Sequence, residues 1–181
     1  MILVWRLIMN VDVNEEIYLE EYNPQWKIYY QKEAAYIQNA LIKEVSYNPF
    51  FVEHIGSTSI PGMTAKPIID ILIGVYNFPP DKQFIDNLTR LGYTFMENAS
   101  VPKRLYLIKR TKNPSFNVHI VKYKETIWND DIKFRNYFLQ HPKEAKEYSN
   151  LKKEILQSGV TTLLEYSALK ADFITKILKE L

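Results

Sequence analysis

The stretch that most constrains this chain is an apolar run with one acid in it, Pro67-Ile68-Ile69-Asp70-Ile71-Leu72-Ile73-Gly74-Val75. Side chains alternate between the two faces of a strand. A run that is apolar at both parities therefore predicts a strand covered on both sides, at the centre of a sheet. An ionised carboxylate desolvated without a partner costs several kcal/mol, comparable with the stability margin of a whole domain. Asp70 needs compensation: a bound cation, or Lys66, Arg104 or His119 reaching across from neighbouring segments, or water at an exposed strand end.

The surrounding sequence supplies the rest of a sheet. After the break at Asn48-Pro49, Phe50 to Ile55 reads as a strand rich in aromatic and branched residues, and residues 56 to 66 form a loop. Tyr93 to Met96, Arg104 to Arg110 and Ser115 to Tyr123 read as further strands, the last two joined through Thr111-Lys112-Asn113-Pro114. Trp26, Ile28/Tyr29, Ala34, Ile37 and Leu41 recur at helical spacing up to about Val45. Phe84, Ile85, Leu88 and Leu91 form a second helical stripe, started by Pro79-Pro80-Asp81 and stopped by Gly92. Three helices close the chain, at about Asp130 to Gln140, Lys143 to Gln157 and Thr162 to Leu181. The fold class is α+β: a mixed sheet flanked by helices, with a helical C-terminal tail.

At 181 residues and 46% hydrophobic content, one core is the expectation. Residues 17–181 read as a single domain and residues 1–16 as an N-terminal extension, floppy or strand-like, with Met9 an alternative start. The opening MILVWRLIM is too short for a membrane helix and carries Arg6. With no cysteine, disulfide scaffolds and thiolate metal sites are excluded. A cytoplasmic protein without a membrane partner is the plain expectation.

The formal net charge of +2 does not mark a nucleic-acid protein. Between Lys103 and Lys124, however, Lys103, Arg104, Lys109, Arg110, Lys112, Lys122 and Lys124 occur with no acid among them. That segment reads either as a phosphate-attracting surface or as a strand edge guarded by lysine.

The loop opens with Gly56-Ser57 directly after a strand. Glycine lets the backbone turn sharply and approach a ligand, and the hydroxyls of Ser57, Thr58 and Ser59 with neighbouring amides suit phosphate oxygens; an ordinary turn has the same letters. Lys66 lies where the loop meets the Asp70 strand, within reach of such a phosphate, and Arg104 heads a strand in the basic segment. Arg135 and Lys170 are isolated cations on aromatic or apolar helix faces. Each is a candidate anion contact or a structural ion pair with Glu53, Asp70 or another acid, and for Arg135 the ion pair is the stronger reading. Trp26, Phe134, Tyr137, Phe138, Tyr148 and Tyr166 read as core. His141, before Pro142, reads as a helix-end residue.

"EHIGSTSIPGMTAKPIIDI" resembles the signature of the GrpB family, small bacterial proteins of the nucleotidyltransferase superfamily that also occur as a domain on some dephospho-CoA kinases. "YNPQWKIYYQKEAAYI", "FNVHIVKY", "FRNYFLQHPKEAKEYSNLKKEI" and "YSALKADFITKIL" extend the likeness over residues 17 to 181. The resemblance implies the Gly-Ser loop between two strands of a mixed sheet. It also implies acids that hold two Mg²⁺ ions around a nucleotide triphosphate. Gly56, Ser57 and Asp70 match that pattern, whereas Leu72 stands at the second acid, and Asn117 and His119 stand where a third is sought. Leucine cannot ligate a hard cation. His54 reads equally as a phosphate-positioning or proton-carrying residue and as a satisfied core histidine; the resemblance includes His54 and His119, which favours site roles over structural ones for both.

Two expectations follow. One is a nucleotidyltransferase-like protein that binds a nucleotide or phosphorylated small molecule with one Mg²⁺ at Asp70 and transfers a nucleotidyl or phosphoryl group. The other is a non-catalytic phosphate-ligand or accessory module that has lost the two-metal site. Nucleic acid is the weaker partner expectation.

Overall fold

A computed structural model describes residues 17–44, 48–161 and 163–180. The expectations for residues 1–16, including Met9, and for element ends at Val45, Thr162 and Leu181 lie outside the described residues. The elements in chain order are α1 (Gln25–Leu41), β1 (Phe50–Ile55), β2 (Ile68–Val75), α2 (Lys82–Arg90), β3 (Thr94–Phe95), β4 (Arg104–Lys109), β5 (Ser115–Lys122), α3 (Thr126–Gln140), α4 (Pro142–Gln157) and α5 (Leu163–Glu180). The strands form one mixed sheet in the order β1-β2-β5-β4-β3, with β2 and β5 parallel and the other pairs antiparallel. No described helix is long and apolar enough to cross a membrane.

β2 lies one strand in from the edge and is covered on both faces, as its composition requires. On one face Ile69, Ile71, Ile73 and Val75 pack with Val118 and Ile120 of β5, under Trp26, Ile37 and Leu41 of α1 and Phe84 and Leu88 of α2. The Asp81 carboxylate caps α2 by accepting from the Phe84 amide at 2.9 Å. On the other face Leu72 packs with Ile55, Val121 and Trp128 of α3. Gly74 makes that approach possible, because a Cβ there would meet the Trp128 ring at 2.5 Å.

The three C-terminal helices have a core of their own, in which Phe138, Tyr148, Ile174 and Ile177 close over Ile60 and Met63 of the 56–66 loop. Sequence spacing places the start of α3 near Asp130, but the helix begins at Thr126. Trp128 belongs to its first turn, and the contact with Gly74 holds that turn on the sheet. The helical tail thus covers the sheet face that carries Asp70, and the loop is fixed between tail and sheet.

Candidate functional site

Gly56 ends β1 with φ +70° and ψ −176°, a backbone region that side chains rarely enter. The next three residues, Ser57–Ser59, form a single 3₁₀ turn, with the Ser59 hydroxyl donating to the Gly56 carbonyl at 2.6 Å. The sharp entry brings the chain against Asp70, whose Oδ2 lies 2.5 Å from where a Cβ on residue 56 would sit. Glycine here is a spatial requirement of the carboxylate.

Asp70 pairs across the sheet with Asn117, and the Asn117 Nδ2 donates to Asp70 Oδ1 at 2.8 Å. The His119 Nε2 lies 3.8 Å from the same oxygen, beyond hydrogen-bond range. Burial pushes the Asp70 carboxyl up, but His119, Asn117 and His54 together outweigh it and hold the group below its ordinary value, ionised at neutral pH.

In front of Asp70 is a cavity of about 130 Å³. Ser57, Thr58 and Lys66 line it from the loop, Ile68 from the start of β2, Asp70 and Asn117 from the sheet, Lys152 from α4, and Tyr166 and Lys170 from α5. Among the described residues its lining carries three lysines, of which Lys66 has further interactions of its own, and one carboxylate. Lys152 is 2% exposed. Its Nζ donates to Ser57 Oγ at 3.1 Å and to the Thr64 carbonyl, and lies 4.7 Å from the centre of the Tyr148 ring. No carboxylate pairs with it among the described residues. The Lys170 ammonium lies over the Tyr166 ring at 4.1 Å. Burial, then the charges of Lys170 and Lys153, push Lys152 down to about 7. Burial and Lys66 push Lys170 down to about 8 against the pull of Asp70.

These shifts give a pH prediction. The unfolded chain keeps both lysines protonated up to their ordinary value of 10.5, whereas the folded chain releases those protons near 7 and 8. Between those limits the unfolded state binds more protons, so stability contributed by these groups rises with pH. Thermal melts across that range check the direction.

The structure thus brings Ser57, Thr58, Lys66, Asp70 and Lys170 together, with His119 behind Asp70. Other expected residues lie elsewhere. Gly56 shapes the loop without lining the cavity, and Ser59 spends its hydroxyl on the turn. His54 pairs with Ile71, which puts it on the opposite face from Asp70; its ring stacks on Tyr30 at 4.6 Å and its Nε2 lies 3.1 Å from Thr58 Oγ1. Burial pushes His54 down to about 4, Asp70 pulling it up and Arg135 pushing it further down, so the ring is neutral and supports the loop from behind. Arg104 is 3% exposed, with its guanidinium 2.6 Å from Asp131 Oδ2 of α3. Arg135 donates to Glu53 Oε2 at 2.7 Å and to the His54 carbonyl at 2.9 Å, the ion pair its sequence context favours. His141 joins α3 to α4, with Nδ1 2.7 Å from the Tyr137 carbonyl. In the basic segment, Lys109 pairs with Glu33 and Lys122 with Glu125, so that with Arg104 three of its seven cations are answered by acids from outside it.

The cavity's donors can be matched against Mg²⁺. Among the described residues the oxygens that a pair of ions needs are missing: Leu72 is fully buried among apolar side chains, Asn117 turns its amide N–H toward Asp70, and His119 stands at the remaining position. A single Mg²⁺ carried in on a ligand's phosphates fits, because this ion is commonly held by one or two carboxylates plus substrate phosphates. Asp70 is the side chain that would hold it.

The family model described as GrpB protein matches residues 16–180. The chain belongs to the GrpB family. It is 29% identical over 171 residues to the glutamate-rich protein GrpB of Alkalihalophilus pseudofirmus, covering 92% of this chain and 96% of that protein. The crystal structure of the conserved protein GrpB from Enterococcus faecalis superposes with a TM-score of 0.78 at 34% identity, over 90% of this chain and 96% of that one. The Cid1 poly(U) polymerase bound to MgGTP is a more distant likeness, with a TM-score of 0.47 and 15% identity over 73% of this chain and 42% of that one. At that distance the overlap carries no argument about activity.

Proposed function

We propose that this chain binds a nucleotide or a closely related phosphorylated small molecule, with the phosphates in the Asp70 cavity. The observation that carries the reading is Lys152: a lysine 2% exposed, without a carboxylate partner among the described residues, aimed at Ser57 and joined at the cavity wall by Lys66 and Lys170. Burying an ammonium costs several kcal/mol unless an anion answers it. Here the anion is the ligand.

The phosphates sit among the Ser57 hydroxyl and the three ammonium groups, and Asp70 receives a single Mg²⁺ that enters with them. A neighbouring hollow of about 200 Å³ shares Lys66 and Ile68 with the cavity and is bordered by Tyr18 and by Lys112 of the β4–β5 hairpin. It offers room for the remainder of the molecule, which favours a nucleotide over inorganic phosphate. Transfer by a pair of metal ions is not part of the reading, because Leu72 occupies the position of the second acid.

Addition of MgATP or MgGTP is expected to raise the melting temperature. At a hundred times the dissociation constant the gain corresponds to about 2.7 kcal/mol. Asp70→Asn removes the part of the gain that depends on Mg²⁺ and leaves the part given by nucleotide alone. If no nucleotide shifts the melt, with or without metal, the reading fails.

A further inference from the structure

We propose that Ser57 is a nucleophile whose base is Lys152, and that it takes a phosphoryl group from a phosphoanhydride held in the cavity. This rests on the phosphate-binding reading and adds a covalent step to it.

Serine is a weak nucleophile at its free pKa and needs an adjacent base, itself oriented by a third group; lysine fills that role in one established variant of the arrangement. All three parts are present. Ser57 Oγ lies on the cavity wall, 3.1 Å from the Lys152 Nζ. The Thr64 carbonyl accepts from the same ammonium and fixes where it points. Ser57 is half-buried at the start of a turn that cannot slide, because Gly56 is wedged against Asp70.

A lysine can act as a base only if it loses its proton near neutrality. The groups facing Lys152 favour that loss. Tyr148 and Lys153 lie on its own helix, the latter paired with Glu21; Ser57 and Thr64 face it from the loop, and Lys170 and Tyr166 from α5. Lys66 and Asp70 lie across the cavity. In the empty cavity burial and the neighbouring ammonium groups bring its pKa to about 7; bound phosphate favours the ammonium, so the base is the fraction of the complex that has released that proton, and this fraction grows as pH rises.

The cavity selects the electrophile. Three lysines against one carboxylate suit a polyanion better than a neutral ester or amide. Ser57 Oγ attacks the terminal phosphorus, the new O–P bond forms as the bridging P–O bond breaks, and the diphosphate departs with the bridging electrons. The hydroxyl proton passes to Lys152 Nζ, while Lys66 and Lys170 stabilise charge on the phosphoryl oxygens. The phosphoserine formed stays among the ammonium groups that bound the ligand, so it blocks a second molecule from entering.

The test is intact-mass and peptide mass spectrometry of the full chain after incubation with MgATP at concentrations that saturate each variant. The expected result is one added phosphoryl group on Ser57, formed faster as pH rises above neutrality. Ser57→Ala gains none. Lys152→Arg keeps a cation that does not lose its proton; the adduct forms in it at least about a hundredfold more slowly per bound complex, the scale of a lost general base. Thermal melts confirm that both variants are folded. Binding without an adduct overturns this proposal and leaves the binding reading intact, as does an adduct on another residue or an undiminished rate in Lys152→Arg. Absence of binding overturns both.

Discussion

Gly56→Ala is expected to lower stability by about 3 kcal/mol and to abolish nucleotide binding. Two independent effects add. The backbone at φ +70° and ψ −176° is a region essentially reserved for glycine, and an alanine forced into it costs about 1–3 kcal/mol. The new methyl carbon would also stand 2.5 Å from Asp70 Oδ2 and 3.2 Å from its Cβ and Cγ, so either the strand or the loop must move. Each escape route damages the site. If Asp70 turns, it loses the hydrogen bond from Asn117; if the loop lifts, Ser57 leaves Lys152. At about 2–4 °C per kcal/mol for a chain of this size, the melting temperature falls by roughly 6–12 °C. Gly62→Ala is the control, since a Cβ there meets nothing within 4 Å although φ is +78°. It should lose only backbone energy and keep binding. Equal loss of binding in the two variants would mean that loop conformation, and not the contact with Asp70, is what matters.

Lys152→Met separates the needs of the fold from those of the ligand. Truncating one partner of a buried charge pair costs a complex 2–5 kcal/mol, which is about thirtyfold or more in affinity at 25 °C. The free protein should respond in the opposite sense. A buried cation without a carboxylate partner is a burden on the fold, and apolar replacements of buried charges are often neutral or stabilising. Methionine is close in length, unbranched, and suited to the contact with Tyr148. The expected pair of results is weaker nucleotide binding measured by calorimetry and a melting temperature that is unchanged or raised. A variant that melts much lower while binding as before would show that Lys152 is a structural strut between α4 and the Thr64 carbonyl.

The sheet was legible because its signals are local. β1 and β2 are bounded by Asn48-Pro49, the Gly-Ser loop and Pro67, and the apolar run at both parities requires cover on both faces. The site was legible where one residue violates its surroundings: Asp70 within apolar β2, and Lys170 on the stripe that carries Tyr166 and Ile174. The same rule would have found Lys152. It sits on the stripe of Ala145, Tyr148 and Ile155, all buried, but the adjacent Lys153 makes the pair look like a solvated face. What was not legible depends on long-range pairing. His54 faces away from Asp70 because β1 pairs with β2 in the register His54 to Ile71, which an eleven-residue loop does not dictate. Arg104 is turned inward by Asp131, 27 residues further on, and nothing near either residue announces the pairing.

We propose above that a phosphorylated ligand is held in the lysine-lined cavity in front of Asp70. The most direct measurement is a crystal structure of the full chain grown with Mg²⁺ and a non-hydrolysable ATP analogue. Phosphate oxygens are expected within hydrogen-bond distance of Lys152 Nζ and Ser57 Oγ, flanked by Lys66 and Lys170. Phosphates bound anywhere else on the protein, with Lys152 still holding only Ser57 and the Thr64 carbonyl, would contradict it.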